Sequence, residues 1–369
     1  MSEKKLQGAS SMVLDLLRLL CSLIVLISHS LAFANPESRE DIVPSHLAHG
    51  CVVIFFVLSG YVIAYTSSSG HRSLAQYTIA RFTRLYSIYI PAILVTIVCA
   101  ILAYSINPEI FNEYNRGNNA MRYLTSILFL NEIWFYSSAP GINIPLWSLS
   151  YEFWYYAIFG AFFYRKKSIT GWIMPVIIIL IAGPKILLMM VIWIMGWMAY
   201  KINSPKISDT FAWIAITCIL SIAIALMLLL PHFPYRLGSH PLYWAGSFVT
   251  DWVIGLVVAF SIWLLPMSKA TTVVTTSAVS KRFREFANMT FPIYVLHYPI
   301  LILLKCIIPS DITPGWQWFI IGSIALIICT ILGLIFEKYK EKWKALFIWI
   351  FNKFSLLDAN QIRSSKMPS

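Results

Sequence analysis

The chain has 369 residues, of which 59% are hydrophobic and 12% are charged. A soluble domain carries roughly 25% charged residues, and long apolar runs recur here from one end of the chain to the other. The composition therefore excludes a soluble domain with one anchor and predicts a polytopic membrane protein. The net charge of +12 comes from short basic clusters between apolar runs, so no nucleic acid partner is expected.

Ten helical spans are predicted in chain order, which makes the fold class all-α. Their approximate limits are 12–34, 46–66, 85–106, 143–164, 169–183, 185–200, 211–230, 242–267, 289–308 and 316–337. The first run lacks a small-residue cleavage site and further spans follow it, so it is interpreted as a retained span. Residues 169–200 would form one helix of about 48 Å, too long for a hydrocarbon core of about 30 Å, and Gly183 and Pro184 divide them.

The basic residues orient these spans. With the N-terminus in the cytoplasm, about 21 of the 28 Lys and Arg residues fall in cytoplasmic segments. The positive-inside rule therefore predicts that both termini are cytoplasmic. Residues 1–337 are expected to form the membrane domain. Residues 338–369 form a basic amphipathic tail whose apolar part is too short to span and is expected to lie on membrane lipids.

The first span contains two polar residues that are costly in hydrocarbon, Arg18 and His29. Eleven residues make about three turns plus 20°, so both side chains lie on one face, separated by roughly 16 Å along the axis. Asp15 lies three residues before Arg18 and can pair with it. One interpretation is a structural pair with an interfacial histidine. The other is a catalytic histidine, which acts as a base or a nucleophile.

Four further groups of polar residues are candidates. Arg81 and Arg84 are either ordinary positive-inside charges or a site that grips phosphates. Ser148 and Glu152 share a helix face beside Trp147, and Glu152 is either an anchor for a cation on another helix or a reactive group. The histidines at the outer end of the second span and in the ninth span are His46, His49 and His297. The cysteines lack metal-ligand spacing, and no metal is expected.

In order, these motifs resemble the acyltransferase family 3 membrane proteins. The motifs are Arg18-x10-His29, FFVLSGYVIAY, Arg81-x-x-Arg84, PLWSLSYE and FPIYVLHYPI. The resemblance covers about residues 10–337. This chain has Val53 and Phe153 where many members carry acidic residues, and those positions vary with the acceptor.

The resemblance implies an acyl-CoA-dependent O-acyltransferase that modifies a carbohydrate of the bacterial envelope, in the inner membrane. Acyl-CoA, most simply acetyl-CoA, is then a co-substrate and not a permanently bound cofactor, and the acceptor is a lipid-linked or polymeric carbohydrate. The implied catalytic residues are His29, Arg18 and Asp15. Arg81 and Arg84 bind the donor, and the implied substrate-binding residues are Trp147, Ser148, Glu152 and His49.

Several alternatives stay open at this point. His29 either deprotonates the acceptor hydroxyl, which we favour, or is transiently acylated. The acyl group is acetyl or succinyl. A transporter that uses Arg18, His29 and Glu152 as a relay is a rival, although no interrupted helices recur in two halves as in repeat-built transporters. A second rival is a catalytically inactive relative that acts as a scaffold.

Overall fold

The computed structural model describes residues 9–34, 43–68, 73–117, 120–266, 285–308 and 314–354. Among these residues the secondary structure is helical, with no β-strand. The α-helices that build the fold are Ala9–Ala34 (α1), Val43–Ser68 (α2), Leu74–Ile106 (α3), Pro108–Tyr114 (α4), Ala120–Ile127 (α5), Trp147–Phe163 (α6), Ile173–Ala182 (α7), Pro184–Lys201 (α8), Asp209–Leu229 (α9), Phe248–Trp263 (α10), Thr290–Ile307 (α11), Pro314–Lys338 (α12) and Lys340–Lys353 (α13).

The chain is an all-α, multi-pass membrane protein. Seven of the described helices are long and apolar enough to cross a membrane: α1, α2, α3, α8, α9, α11 and α12. The other three predicted spans correspond to α6, α7 and α10, which have 17, 10 and 16 residues. Each of the ten predicted spans thus matches a helix, while the count of crossings and the cytoplasmic termini stay predictions. Residues 1–8, 355–369 and the basic cluster at 269–284 lie outside the described residues.

Helix α2 lies at the centre of the bundle and packs against α1, α8 and α10. Two glycines bring α2 and α8 together. A Cβ at Gly60 would lie 1.9 Å from the carbonyl oxygen of Trp193, and one at Gly196 would lie 1.9 Å from that of Val57. Small residues allow such close backbone contact between membrane helices. Gly60 and Gly196 therefore fix the helix pair on which the site is built.

Helix α3 begins eleven residues before its predicted limit. Ser73 and Gln76 form a capping box at its N-terminus, each side chain bonding the backbone N–H of the other. The polar residues of the first turns lower the hydropathy of this stretch, so the apolar pattern alone began the span at residue 85. As a result the basic pair of this helix lies on continuous helix, well after its first turn.

Two surface segments flank the bundle. The tail helix α13 packs against α3, with the buried Phe347 against Phe82 and Tyr86. The loop before α6 exposes three consecutive aromatic side chains, at residues 134–136. Exposed aromatic residues are typical of the membrane interface.

Candidate active site

The inner cavity, of about 170 Å³, lies toward the end of the bundle that the charge pattern predicts to be cytoplasmic. Its lining contains three basic and three acidic side chains, namely Arg18, Arg84, Lys340, Asp15, Glu152 and Glu337. Nη1 of Arg18 lies 3.6 Å from Oδ1 of Asp15, so the predicted pair forms. The cavity therefore brings together most of the candidates from the first three polar groups, with their charges balanced.

Glu152 is held in the wall of the inner cavity by hydroxyl groups. Ser59 donates a hydrogen bond from Oγ to Oε1 of Glu152 at 2.9 Å, and the hydroxyl of Tyr156 donates to the same oxygen. The indole N–H of Trp193 donates to Ser59 in turn, at 3.3 Å. A carboxylate in a membrane domain requires such partners. Glu152 is thus anchored by α2 and its own helix, next to the cations of the cavity.

Tyr294 separates the inner cavity from a second one. Its hydroxyl lies 2.7 Å from Oγ of Ser148, and both hydroxyls approach the carbonyl oxygen of Pro145 at 3.2 Å. Tyr294 and Val52 line both cavities. Tyr294 and Val52 therefore form part of the wall that the two cavities share.

The outer cavity, of about 150 Å³, is lined by His29 on α1 and His49 on α2. Trp147 and Trp244 form another part of its wall, with stacked rings whose centroids are 5.3 Å apart. Within the part of the chain that the structure describes, no Lys, Arg, Asp or Glu side chain is among the lining residues. A further cavity, of about 130 Å³, also borders His29 and is lined by Glu113 and Arg116.

His29 is hydrogen-bonded to a second histidine. Nδ1 of His29 lies 2.9 Å from Nε2 of His297, with the rings nearly parallel. Nδ1 of His297 lies 2.7 Å from the carbonyl oxygen of Tyr294 and 3.1 Å from that of Ile293. Carbonyl oxygens only accept, so Nδ1 of His297 carries its proton. In the neutral pair, Nε2 of His297 then accepts from Nδ1 of His29, and Nε2 of His29 keeps its lone pair.

His49 is hydrogen-bonded to a buried carboxylate. Its Nε2 lies 3.0 Å from Oδ2 of Asp251 on α10, which also accepts from Oγ of Ser247 at 3.1 Å. The exposed fractions are 6% for His49 and 1% for Asp251. The His49 ring also stacks on Trp147, at 5.9 Å between centroids. Asp251 therefore fixes the orientation of an imidazole in the outer cavity.

A third histidine lies at the edge of this group. His232, in the loop after α9, stacks on His46 with ring centroids 4.2 Å apart, and it lies edge-on to His49. Burial lowers the pKa of His232 to about 4, and the two neighbouring histidines act in the same direction. His232 is therefore uncharged near neutral pH.

Arg81 and Arg84 do not line one cavity, although their spacing predicts a shared face. Arg84 lines the inner cavity. Arg81 lines a lateral groove of about 750 Å³ between α3, α6 and α7, with Arg165 and Lys166 at the same groove. Its guanidinium lies over the Tyr77 and Tyr156 rings, at 5.7 and 5.6 Å. Three residues turn a helix by about 300°, so the two side chains leave α3 about 60° apart, and each lines a different cavity.

Two residues of this site were assigned little or no role from sequence. His297 is completely buried and contacts His29, although the sequence analysis did not place it among the catalytic or binding residues. Asp251 was not singled out, yet an acidic residue within an apolar span is itself a signal of a functional site. Both residues are recognised only through their contacts with helices that lie far away in the sequence.

The comparisons with known proteins agree with the resemblance of the motifs. The family model for acyltransferase family 3, described as an acyltransferase domain, matches residues 13–335. A protein of Shigella phage Sf6, named O-acetyl transferase, is 28% identical over 155 residues. That alignment covers 40% of this chain and 44% of the relative, so the chain spans less than half of the curated relative that it matches. No solved structure matches. Because the family model covers most of the chain, this protein belongs to acyltransferase family 3.

Proposed function

We propose that this protein transfers an acyl group, acetyl in the simplest case, from cytoplasmic acyl-CoA to a hydroxyl group of an envelope carbohydrate on the other side of the membrane. The observation that carries the proposal is the His29–His297 pair. It leaves Nε2 of His29 as a hydrogen-bond acceptor beside two outer cavities, while an inner cavity lined by three basic and three acidic side chains shares the Tyr294 wall with one of them. The direction of transfer and a location in the inner membrane of a bacterium follow from the charge pattern and are part of the proposal.

The chemical step uses His29 as the general base. Nε2 of His29 takes the proton of the acceptor hydroxyl as its oxygen attacks the thioester carbonyl carbon. The carbon–sulfur bond then breaks, the coenzyme A thiolate leaves, and it takes the proton back from the imidazolium. The new ester and free thiol balance the reaction, with no net change in the protein. His297 holds the His29 ring in the tautomer that this step requires, as carboxylates hold histidines in hydrolytic triads.

Arg18 serves the donor and not the reacting carbonyl. Eleven residues of helix place it about 16 Å from His29 along α1, so one reacting carbon cannot contact both side chains. Arg18 and Arg84 instead line the inner cavity, where they are suited to the phosphates or amide groups of the donor. Arg81 was expected beside Arg84, and in this proposal it contributes from the lateral groove to the part of the donor site farthest from His29.

The donor arm passes Tyr294 to reach His29. The Ser148 and Tyr294 hydroxyls close the path between the inner and outer cavities, and they share one hydrogen bond and one backbone acceptor. In this proposal the Tyr294 ring moves out of this position when the donor arm is bound. Glu152 and Trp147 lie on either side of this point, in the inner and outer cavities respectively.

A His29→Ala variant tests the proposal. Loss of a general base lowers the rate by about 10²–10⁴-fold, so acylation of surface glycan, followed by mass spectrometry, should be abolished. His240→Ala is the matched control because its ring is exposed in the loop before α10. Both variants must reach the membrane in equal amounts.

Two outcomes would contradict the proposed function. One is a correctly inserted His29→Ala protein that modifies glycan at the wild-type rate. The other is flux of a substrate through wild-type proteoliposomes without acyl-CoA, which would favour the transporter. A covalent adduct on His29 after mixing with acyl-CoA alone would replace direct transfer by an acyl-histidine intermediate and would keep the overall reaction.

A further inference from the structure

We propose that the outer cavity binds one uncharged sugar ring of the acceptor, that His49 is its hydrogen-bonding residue, and that Asp251 is the positioning residue behind His49. This inference rests on the proposed function, because it takes His29 as the base to which the acceptor hydroxyl is presented. It adds the class of sugar and assigns Asp251, Ser247 and Trp244 to the acceptor site.

The ring stack of the cavity fits the apolar face of a sugar. Trp147 and Trp244 are nearly parallel, at 9° between their planes, and both line the cavity. Trp147 is almost completely buried, whereas Trp244 is half-buried and is supplied by the loop before α10. Large aromatic surfaces offer apolar contact to the C–H groups of a pyranose, while the ring hydroxyls need polar partners placed at the rim.

His49 is the polar partner that the geometry provides opposite the base. Asp251 accepts a hydrogen bond from Nε2 of His49, so Nδ1 is the nitrogen left for a ligand. The ring is fixed on two sides, by the carboxylate and by stacking on Trp147. A fixed imidazole loses little conformational freedom when it binds a hydroxyl, and it therefore orients the acceptor precisely toward His29.

The charges around the cavity select against an acidic sugar. Among the residues that the structure describes, the lining offers no Lys or Arg to pair with a carboxylate. The buried carboxylate of Asp251 stands behind His49, and it disfavours a second negative charge nearby. His232, which contacts His49, is uncharged near neutral pH because burial lowers its pKa to about 4. An unpaired ionised group here would lose its hydration without compensation.

The experiment measures acyl transfer by purified protein in liposomes, with radiolabelled acetyl-CoA and pairs of methyl pyranosides. Each pair consists of a neutral sugar and the uronic acid of the same configuration. We expect kcat/KM to be at least about tenfold higher for the neutral member of each pair. A tenfold ratio corresponds to the free energy of about one hydrogen bond.

Substitutions of Asp251 and Trp244 test whether these two residues belong to the acceptor site. Asp251→Asn keeps the shape of the side chain but loses its charge, and it should raise KM for the sugar about tenfold while KM for acetyl-CoA is unchanged. Asp251→Glu should recover part of the loss. Trp244→Ala should raise the same KM, and Trp316→Ala is the control because 67% of its surface is exposed. Thermal unfolding in detergent checks that each variant is folded.

The outcomes separate this inference from the proposed function. Transfer to no sugar by the wild-type protein would overturn both. Transfer that prefers uronic acids, or that depends on Arg116 in the neighbouring cavity, would overturn only the inference. So would Asp251→Asn and Trp244→Ala proteins that keep the wild-type KM for the sugar, or that lose kcat and acetyl-CoA binding equally through general damage.

Discussion

The inner and outer cavities use buried polar residues in opposite ways. Six ionisable side chains line the inner cavity, with Arg18 and Arg84 facing its interior together with three acids and a lysine. Among the described residues, the lining of the outer cavity contains two imidazoles and no Lys, Arg, Asp or Glu side chain. The free-energy cost of a charged side chain in a membrane domain is therefore met in two ways. On one side the charges share a polar cavity, and on the other they form closed pairs, that is, buried charged side chains bonded to each other or to polar neighbours.

The closed pairs of the outer half are the clearest sign of this difference. Nζ of Lys185 lies 3.0 Å from Oε2 of Glu132, and both side chains are completely buried. Lys185 also donates to the carbonyl oxygen of Tyr136. Asp251 is engaged by His49 and Ser247. None of the charged residues named here lines the outer cavity, which suits a neutral acceptor, whereas the inner cavity suits a charged donor.

The largest expected effect comes from breaking the Glu132–Lys185 pair. Lys185→Met leaves Glu132 buried without its cation, so the free energy of unfolding should fall by about 3–5 kcal/mol. Arg84→Gln, in the polar inner cavity, should cost much less. Denaturant unfolding in detergent measures the free energy of unfolding of both variants. Lys201→Met, at the end of α8, is the control. Equal losses for Lys185→Met and Arg84→Gln would show that the two halves do not differ.

The pH dependence of stability sharpens the same test. Burial raises the pKa of Glu132 from 4.5 to about 7, although Lys185 and Ser137 oppose the shift. The unfolded chain then loses this proton at lower pH than the folded protein, so the contribution of Glu132 to stability falls as the pH rises from 4.5 to 7. Glu132→Gln should remove that part of the pH dependence. A variant whose stability still falls with the same slope would contradict this assignment.

The next largest expected effect is on kcat, through the contact of His297 with the proposed base His29. His297→Ala removes the acceptor for Nδ1 of His29, so His29 can adopt the wrong tautomer, and kcat should fall on the order of 100-fold, the low end of what a general base contributes. His297→Gln retains an acceptor oxygen and should recover part of the rate. KM for both substrates should stay unchanged, which a general packing defect would not achieve. Steady-state kinetics with the two variants decides between positioning and packing.

The sequence was sufficient for the fold class and for the order of the helices. Each of the ten spans predicted from apolar runs matches one of the thirteen α-helices, and the i,i+3 spacing predicted the contact of Arg18 with Asp15. These features depend on neighbours along one helix, where periodicity and composition act directly. The start of α3 at Leu74 was missed because its cap and polar first turns do not contribute to hydropathy.

The pairs across helices could not be predicted in this way. His29 meets His297 across 268 residues, and His49 meets Asp251 across 202. A single sequence marks each of them as costly in a membrane but does not say which partner satisfies it. The separation of Arg81 from Arg84 has the same origin, because the two cavities that they line are completed by other helices.

The smallest expected effect separates these two arginines. Arg84→Gln removes a cation from the inner cavity and should raise KM for acyl-CoA about tenfold, as for one charge-assisted contact of about 1.4 kcal/mol. Arg81→Gln should raise it less, because Arg81 lies in the lateral groove over two tyrosine rings. Isothermal titration calorimetry with acyl-CoA and the purified variants measures which substitution weakens binding more. If both substitutions weaken binding equally, the donor extends into the lateral groove, since its phosphates then need cations from both cavities.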